Sequence, residues 1–273
     1  MSGKLFVVGT PIGNLGDISP RGLEALENCD FIAAEDTRVT LKLLNHFEIK
    51  KPLISYFEHN KFEKGPYIVD RIIAGENCAI VTDAGMPAIS DPGEDLVRLC
   101  HEAGIRVESV PGPCAFATAL AISGMPSTRF VFAGFPPVEK QERKKLFDSV
   151  KDEEFTLIFY EAPHKISNTL KDLSSVLGDR EIAIVRELTK IHEQVIRTTL
   201  FAAAEKYSKE ELKGELVLII KGAEHSEKGK MTLEEAIKYA SELAENGESK
   251  TEAAKLAAKE SGFKKGEIYK GLL

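Results

Sequence analysis

Short apolar segments alternate with helical patterns through the first half of the chain, and this alternation restricts the possible folds more than any other feature. Most of these segments have the length of one strand and are continuously apolar. Continuous apolar strands separated by helices predict a mainly parallel sheet that is covered on both faces. The strands are predicted at residues 5–8, 31–34, 79–82 and 107–110, and the helices include 67–74 and 94–103. We therefore expect an α/β lobe over residues 1–115, with its first helix starting at Ser19-Pro20, a good N-cap followed by proline.

A second set of strand patterns follows the turn Pro111-Gly112-Pro113 and an alanine-rich helix from Cys114 to about Ser123. The strands are predicted at 130–132, 155–160, 182–185, 195–198 and 216–220. No long crossover precedes the last two, so part of this sheet should be antiparallel. We expect a second α/β lobe with a mixed sheet over residues 116–225. The small residues of the helix suit close packing between two bodies, although ordinary core packing explains them equally well.

The composition shifts after Lys221. The segments Thr232–Glu235 and Ser249–Glu252 both have the pattern of a capping box at the start of an alanine-rich helix. Gly247 and Gly262 are expected to end these two helices. A small helical module is therefore predicted over residues 230–273, and its last short helix carries Lys264, Lys265 and Lys270.

Composition argues against several classes of protein. The formal net charge of −7 disfavours a general nucleic-acid binder, whose affinity depends on neutralising phosphates, but it leaves local basic patches open. No apolar run approaches the roughly 20 residues of a membrane-spanning helix, and the first residues lack the apolar length of a secretory signal. The cysteines and histidines are scattered without metal-ligand spacing, so we expect no metal and reduced thiols. A cytoplasmic protein is expected.

Two loops rich in glycine and proline follow predicted strands. The first, residues 9–17, has glycines at positions 9, 13 and 16 and therefore lacks the G-x-G-x-x-G pattern of a dinucleotide site. Either a turn or a ligand site explains this loop. The second, residues 82–93, contains two acids, two glycines and two prolines, and can present backbone groups and a carboxylate to a ligand with hydroxyl and amino groups. Turn chemistry explains Asp91-Pro92-Gly93, but it explains residues 83–90 less well.

Five motifs appear in a fixed order along the chain: VGTPIGNL at 8–15, AEDTR at 34–38, DAGMPAISDPG at 83–93, PGP at 111–113 and FYEAPH at 159–164. Together they resemble the tetrapyrrole methylase superfamily, and within it most closely the bacterial small-subunit ribosomal RNA (cytidine-2′-O)-methyltransferases. The resemblance runs from about Lys4 to Ile220, and we expect it to include the helical tail. It implies two α/β lobes with S-adenosylmethionine in the cleft between them, a homodimer, and a cytidine ribose of small-subunit ribosomal RNA as methyl acceptor.

The sequence departs from this family pattern in three places. Met86 stands where threonine is usual, and Cys114 stands where serine usually follows Pro-Gly-Pro. Neither change removes a titrating group that methyl transfer requires. The basic segment expected around residues 138–145 is diluted by Glu139 and Glu142, which weakens the prediction of an RNA contact there.

The resemblance and the loop chemistry together assign residues to a donor side and an acceptor side. The predicted donor-binding residues are Asp83, Gly85, Ala88, Ile89, Gly112, Cys114, Ala115 and Tyr160. The glycines and alanines are expected to act through close backbone approach, and Asp83 through its carboxylate. The predicted acceptor-binding residues are Thr10, Pro11, Lys144, Lys145 and Lys165. A helix N-terminal turn after Pro163 explains Lys165 equally well.

Methyl transfer from a sulfonium requires in-line positioning, and a positioned base should accelerate it by roughly 10²–10⁴-fold because a ribose hydroxyl is barely acidic. The predicted catalytic residues are Asn14, Glu35, Asp36, Arg38 and His59. Each also has a structural explanation. Asn14 can brace its loop, Asp36 can cap a helix, and His59 can belong to a solvated turn. Arg38 can pair with Glu35, or it can meet a phosphate of the RNA.

Two other functions remain open at the level of sequence. A tetrapyrrole carbon could be the acceptor, although the strand-one loop would then more often read G-x-G-P-G. The second alternative is a non-catalytic ribosome-assembly factor, in which the helical tail and its lysines would bind RNA.

Overall fold

A computed structural model describes residues 2–224 and 232–273 of the chain, so residues 230–231 of the predicted tail lie outside the described residues. Internal contacts divide the chain into two units, Met1–Gly222 and Ala223–Leu273. The first unit contains the predicted lobe of residues 1–115 and residues 116–222 of the second predicted lobe, 116–225. The boundary between the lobes near residue 115 stays a prediction. In the described ranges, no helix combines the length and the apolarity that crossing a bilayer would require.

The first half of the chain forms a parallel sheet between helices, as the alternation predicted. Its elements are β1 (Lys4–Val8), α1 (Pro20–Asn28), β2 (Phe31–Ala34), α2 (Thr37–His46), β3 (Leu53–Ser55), α3 (Lys61–Ile73), β4 (Cys78–Val81), α4 (Gly93–Glu102) and β5 (Arg106–Val110). The strand order is β3-β2-β4-β1-β5, with every pair parallel. Alternate residues of β1 enter different cores, since Leu5 and Val7 pack on one face of the sheet and Val8 on the other.

Local sequence signals explain most of the helix boundaries in this sheet. The Ser19 hydroxyl accepts a hydrogen bond from the Gly22 N–H at 3.0 Å, and Pro20 occupies the first helical position of α1, as predicted. Helix α3 is different, because it begins at Lys61 rather than near Tyr67 and contains Gly65 and Pro66. A Cβ on Gly65 would lie 2.8 Å from the Leu99 side chain. Close packing of α3 on α4 therefore outweighs the poor helix propensity of the Gly-Pro pair.

The second half forms a mixed sheet, which confirms the expected antiparallel pairing. Its elements are α5 (Ala115–Ser123), β6 (Phe130–Phe132), α6 (Lys140–Ser149), β7 (Thr156–Glu161), α7 (Ile166–Leu177), β8 (Glu181–Arg186), β9 (Gln194–Thr199), α8 (Leu200–Tyr207) and β10 (Leu216–Ile220). The strand order is β6-β7-β10-β8-β9, and only β6–β7 is parallel among these described pairs. Helix α5 packs on this sheet through Ala119 and Leu120, together with Ile12 from the strand-one loop. The small-residue helix thus packs against the second sheet, in a core that one residue of the strand-one loop joins.

The C-terminal unit contains α9 (Leu233–Glu245), α10 (Lys250–Ser261) and α11 (Lys265–Gly271) around an alanine-rich core of its own. The capping box at Thr232 is confirmed, with reciprocal hydrogen bonds to Glu235. The second predicted box was wrong. The Ser249 hydroxyl accepts from the Glu252 N–H, but the Glu252 carboxylate pairs with Lys255 at 2.8 Å instead of returning to the cap.

Candidate active site

A cavity of about 460 Å³ opens at the carboxyl edge of the first sheet, where the loop after β4 faces the second sheet. We call it the donor cavity. The first lobe lines it with Glu35, Asp83 and Ile89, and the second lobe with Tyr160 and Val217. Ligands of open parallel sheets usually bind at this edge, and the volume lies within the roughly 300–1,000 Å³ that is typical of small-molecule sites.

The loop after β4, residues 82–92, has an unusual backbone that hydrogen bonds to one carboxylate stabilise. Ala88 and Ser90 both have positive φ, 65° and 66°, which is unfavourable for residues with a side chain. The Asp91 carboxylate accepts hydrogen bonds from the N–H groups of Ala88 at 3.0 Å, Ile89 at 3.3 Å and Gly93 at 2.7 Å. Burial raises the pKa of Asp91. This residue therefore organises the loop that forms one wall of the donor cavity.

Three loops pack backbone against backbone beside this wall. Thr10 and Gly85 exchange two backbone hydrogen bonds, of 2.9 and 3.1 Å, which join the strand-one loop to the loop after β4. The Thr10 hydroxyl also donates to the Thr82 carbonyl at 3.3 Å. A Cβ on Gly112 would lie only 2.7 Å from the carbonyl oxygen of Gly9, so the loop after β5 is equally close. Glycine at position 112 is required by this contact.

Carboxylates converge where β2 and β4 end. The Thr82 hydroxyl donates to Glu35 at 2.6 Å, and the Asp36 N–H donates to Asp83 at 3.0 Å. Burial, followed by the neighbouring charge of Glu35, raises the pKa of Asp83. Asp36 has the opposite environment, because hydrogen bonds from Arg38 lower its pKa to about 2. The acid that faces the cavity is thus the one that holds a proton more readily.

The charge of the donor cavity indicates the kind of ligand it can hold. Its lining contains five carboxylic acids, Glu35, Asp83, Asp91, Glu161 and Glu215, and within the described ranges it contains no lysine, arginine or histidine. Such a lining attracts a cationic ligand and repels phosphates. S-Adenosylmethionine, with a positive sulfonium and an amino group, fits this chemistry and volume, whereas a dinucleotide does not. Among residues 2–224 and 232–273, no cluster of three or more possible ligands could hold a metal ion.

Aromatic side chains and the start of α5 form the opposite wall. The Tyr160 hydroxyl accepts a hydrogen bond from the Phe116 N–H at 3.1 Å, and burial raises the pKa of Tyr160 to about 12. The Tyr160 ring contacts Phe135, with centroids 5.2 Å apart. The next residue of β7, the buried Glu161, accepts hydrogen bonds from the Ala162 N–H and from the Thr169 hydroxyl. This side of the cavity therefore combines aromatic rings with a hydrogen-bonded carboxylate.

The structure brings many of the predicted donor-binding residues together. Those that line the donor cavity are Asp83, Gly85, Ile89, Cys114, Ala115 and Tyr160. Ala88 and Gly112 do not line it, since their backbones support the loops behind it. Thr10 and Pro11, predicted on the acceptor side, line a smaller neighbouring cavity.

The predicted catalytic residues are dispersed, and only Glu35 among them lines the donor cavity. The Asn14 side chain accepts from the Gly16 N–H and caps a short 3₁₀ turn. Asp36 caps α2 and pairs with Arg38, so the suggested Arg38–Glu35 pair was wrong. His59 is exposed in the turn before α3.

The predicted RNA-binding lysines lie on the second lobe outside the donor cavity. Lys144 and Lys145 are exposed on α6, where Lys145 pairs with Glu142 at 2.7 Å. Lys165 is the N-cap residue of α7. Sequence reasoning missed several lining residues: Thr82, Asp91, Phe135, Glu161 and Glu215. Thr82, Asp91 and Glu161 stand inside or beside quoted motifs and could have been found there, but no local pattern marks Phe135 or Glu215.

Comparison with known proteins gives consistent results. The family model "Tetrapyrrole (Corrin/Porphyrin) Methylases" matches residues 4–204. The protein named ribosomal RNA small subunit methyltransferase I from Synechocystis sp. is 43% identical over 98% of this chain and 96% of its own length. The protein of the same name from Xylella fastidiosa is 45% identical over 98% of each chain.

Solved structures of low sequence identity show the same fold. Diphthine synthase has a TM-score of 0.63 at 14% identity, covering 81% of this chain and 90% of its own. The uroporphyrin-III C-methyltransferase of Thermus thermophilus, solved in complex with S-adenosylhomocysteine, has a TM-score of 0.57 at 17% identity, covering 80% and 97%. By the family model and by the full-length relatives, the chain belongs to the tetrapyrrole (corrin/porphyrin) methylase family.

Proposed function

We propose that this protein uses S-adenosylmethionine to methylate the 2′-hydroxyl of a cytidine in small-subunit ribosomal RNA. The main support for S-adenosylmethionine as the methyl donor is the donor cavity, which has five carboxylic acids and no basic side chain among its described lining residues. The acceptor is supported by the relatives of 43% and 45% identity, whose name is ribosomal RNA small subunit methyltransferase I.

The reaction requires one bond to form as another breaks. S-Adenosylmethionine supplies a methyl group on a positively charged sulfur, and the sulfur keeps the electron pair of the broken bond as a neutral thioether. The ribose oxygen forms the new bond to carbon and loses its proton. Among the described lining residues only carboxylates are basic enough to receive that proton near neutral pH.

Asp83 is the carboxylate that we assign to this proton. One of its oxygens accepts the Asp36 N–H, and its raised pKa makes it a stronger base than an ordinary aspartate. Glu35 supports it by accepting a hydrogen bond from the hydroxyl of the adjacent Thr82. Asp91 keeps the loop in shape, and Tyr160 holds the start of α5. Asp83 thereby contributes to catalysis in addition to the donor binding predicted for it.

The experiment is to incubate the purified protein with methyl-labelled S-adenosylmethionine and small ribosomal subunits that lack the modification. We expect label in a nuclease-resistant dinucleotide, which only a 2′-O-methyl group produces. Methyl transfer to a corrin precursor but not to RNA would show that the acceptor is a tetrapyrrole. Ribosome binding without any affinity for S-adenosylmethionine would instead indicate a non-catalytic assembly factor.

We also propose that the protein is cytoplasmic, since its substrate would be the ribosome, and that it forms a homodimer. Apolar side chains of the second lobe support self-association, because Ile122 and Phe130 are 42% and 41% exposed and Phe116 lies against Phe130. Sedimentation equilibrium should give twice the chain mass. A monomer at micromolar concentration would contradict this assembly.

A further inference from the structure

A second cavity, of about 220 Å³, lies between the strand-one loop and helix α2. Its apolar lining comes from Pro11, Leu15, Val39 and Leu43. Leu15 and Val39 are 42% and 37% exposed, so these side chains face solvent instead of completing the core. Exposed apolar side chains that gather around a cavity are typical of a ligand-binding surface.

This second cavity shares one wall with the donor cavity. Thr82 and Asp83 line both of them. The wall is held in place by Thr10, whose hydroxyl donates to the Thr82 carbonyl and whose backbone pairs with Gly85. A ligand in the second cavity and a methyl donor in the first would therefore meet at the Asp83 carboxylate.

Charge distinguishes the two cavities and indicates where RNA enters. The carboxylates of the donor cavity repel the phosphates of a nucleic acid. The second cavity is lined by Lys42, which is exposed and forms no ion pair with any residue in the described ranges. A phosphate is attracted to such a free ammonium group. Asp83 is the one carboxylic acid among the described lining residues of the second cavity, so an RNA strand can approach it from the α2 side without passing the other four acids of the donor cavity.

We propose that the second cavity is the acceptor subsite, which holds one nucleoside extruded from the RNA while Lys42 contacts an adjoining phosphate. The proposal rests on the proposed function and deepens it. Enzymes that do chemistry on a base commonly extrude its nucleotide into a fitted pocket, and the same movement would bring a ribose hydroxyl to Asp83. The volume of about 220 Å³ suits one nucleoside and is too small for a tetrapyrrole macrocycle. The aliphatic side chains would pack against the base and sugar, leaving the hydroxyl directed at Asp83.

The first test fills the cavity. Val39→Trp places an indole in the subsite, and Leu41→Trp is the matched control because Leu41 is 50% exposed on the same helix and does not line the cavity. We expect Val39→Trp to raise the KM for unmodified small ribosomal subunits at least tenfold, while the Kd for S-adenosylhomocysteine stays within twofold by calorimetry. The retained Kd shows that the variant is folded. Leu41→Trp should change neither constant beyond twofold.

The second test removes the cation. Lys42→Ala should raise the same KM several-fold and reduce the slope of log KM against log salt by about one, as loss of one phosphate contact does. Lys50→Ala, at an exposed lysine that lines neither cavity, should leave both unchanged. An unchanged KM in Val39→Trp would overturn the subsite, and an unchanged slope in Lys42→Ala would overturn the phosphate contact. A wild-type protein that methylates no RNA would overturn the proposed function itself, and the subsite with it.

Discussion

Asp83 and Asp36 are two aspartates close to each other whose environments shift their pKa values in opposite directions. Burial and Glu35 raise the pKa of Asp83, whereas hydrogen bonds from Arg38 lower that of Asp36 to about 2. Opposite shifts in neighbouring acids often mark different roles at an active site. Here they separate a structural helix cap from an acid that lines both cavities.

Replacing Asp83 by asparagine removes the proposed base but keeps an oxygen that can accept the Asp36 N–H. We expect kcat for RNA methylation to fall by roughly 10²–10⁴-fold, the usual contribution of a positioned base. In the wild type, kcat should fall as the pH drops through the raised pKa of Asp83, because the protonated carboxyl cannot accept a proton. Single-turnover rates across the acidic range measure both effects. A rate for Asp83→Asn within threefold of wild type would exclude Asp83 as the base.

The same substitution should affect stability in the opposite direction. A carboxyl whose pKa is raised by folding binds its proton more tightly in the folded chain, so its charged form destabilises the fold above that pKa. Asp83→Asn should therefore increase the free energy of unfolding at pH 7.5, by about 0.5 kcal/mol for a partly exposed charge. The gain should disappear as the pH falls through the pKa of Asp83. Urea denaturation at pH 7.5 and at pH 4 checks the sign, and a loss of stability at pH 7.5 would contradict it.

At the residue scale, the sequence identifies side chains that stand in motifs and misses those that folding brings in from elsewhere. Asp83 and Tyr160 were predicted from motifs and both line the donor cavity. Glu215 lies before β10 with no local signal, and it lines the cavity only because β10 pairs between β7 and β8. His59 has suitable chemistry, but tertiary structure leaves it exposed in a turn.

Among the structural elements, helix α5 has an N-terminus that its own cap residue does not satisfy. Cys114 has the extended backbone of an N-cap, with φ −139° and ψ 110°, but its side chain makes no capping hydrogen bond. Cys114→Ser supplies a hydroxyl that can accept from the Ala117 N–H. We expect the free energy of unfolding to increase by about 0.5–1 kcal/mol. Cys114→Ala, which adds no acceptor, is the control, and equal stability of the two variants would show that no cap forms.

At the contact between the loops after β1 and β5, we expect a substitution to decrease stability. Gly112→Ala places a methyl group against the backbone of Gly9, which cannot move without disturbing β1. We expect a loss of roughly 1–3 kcal/mol of stability, as for other overpacked sites, and weaker binding of S-adenosylhomocysteine. Gly266→Ala is the control, since a Cβ there meets nothing within 4 Å. Denaturant unfolding and calorimetry measure both effects, and an unaltered Gly112→Ala protein would contradict the close contact.

At the element scale, the sequence predicted strands and helix caps better than helix starts. Continuous apolar strands such as Phe31–Ala34 were placed correctly because burial on both faces leaves a strong pattern. The start of α3 was missed because Gly65 and Pro66 suggest a break, and only the packing against Leu99 explains why the helix continues. The capping box predicted at Ser249 does not form, because the Glu252 carboxylate pairs with Lys255 instead. Competition among partners cannot be read from spacing alone.

For the whole molecule, the described lining residues of the donor cavity all belong to one of the two units. In the part of the chain that the structure describes, the lining runs from Ile12 to Val217. The cores that support it belong to residues 1–222, whereas α9, α10 and α11 bury an apolar cluster of their own. The net charge of −7 describes the entire chain, but the charges that matter for ligands are those near each cavity. Acids line the donor cavity, and Lys42 lines the second cavity beside it.

A chain ended at Glu224 should therefore keep its methyl-donor site. The remaining residues retain both sheets and their cores, and a unit of this size can bury enough apolar surface to fold by itself. We expect the Kd for S-adenosylhomocysteine to stay within twofold of the full-length value, and the denaturant m-value to fall in proportion to the lost surface. Asp83→Lys in the truncated chain is the control that should abolish binding, because it reverses a charge in the acidic lining. A tenfold increase in Kd on truncation alone would mean that the C-terminal unit contributes to the donor site.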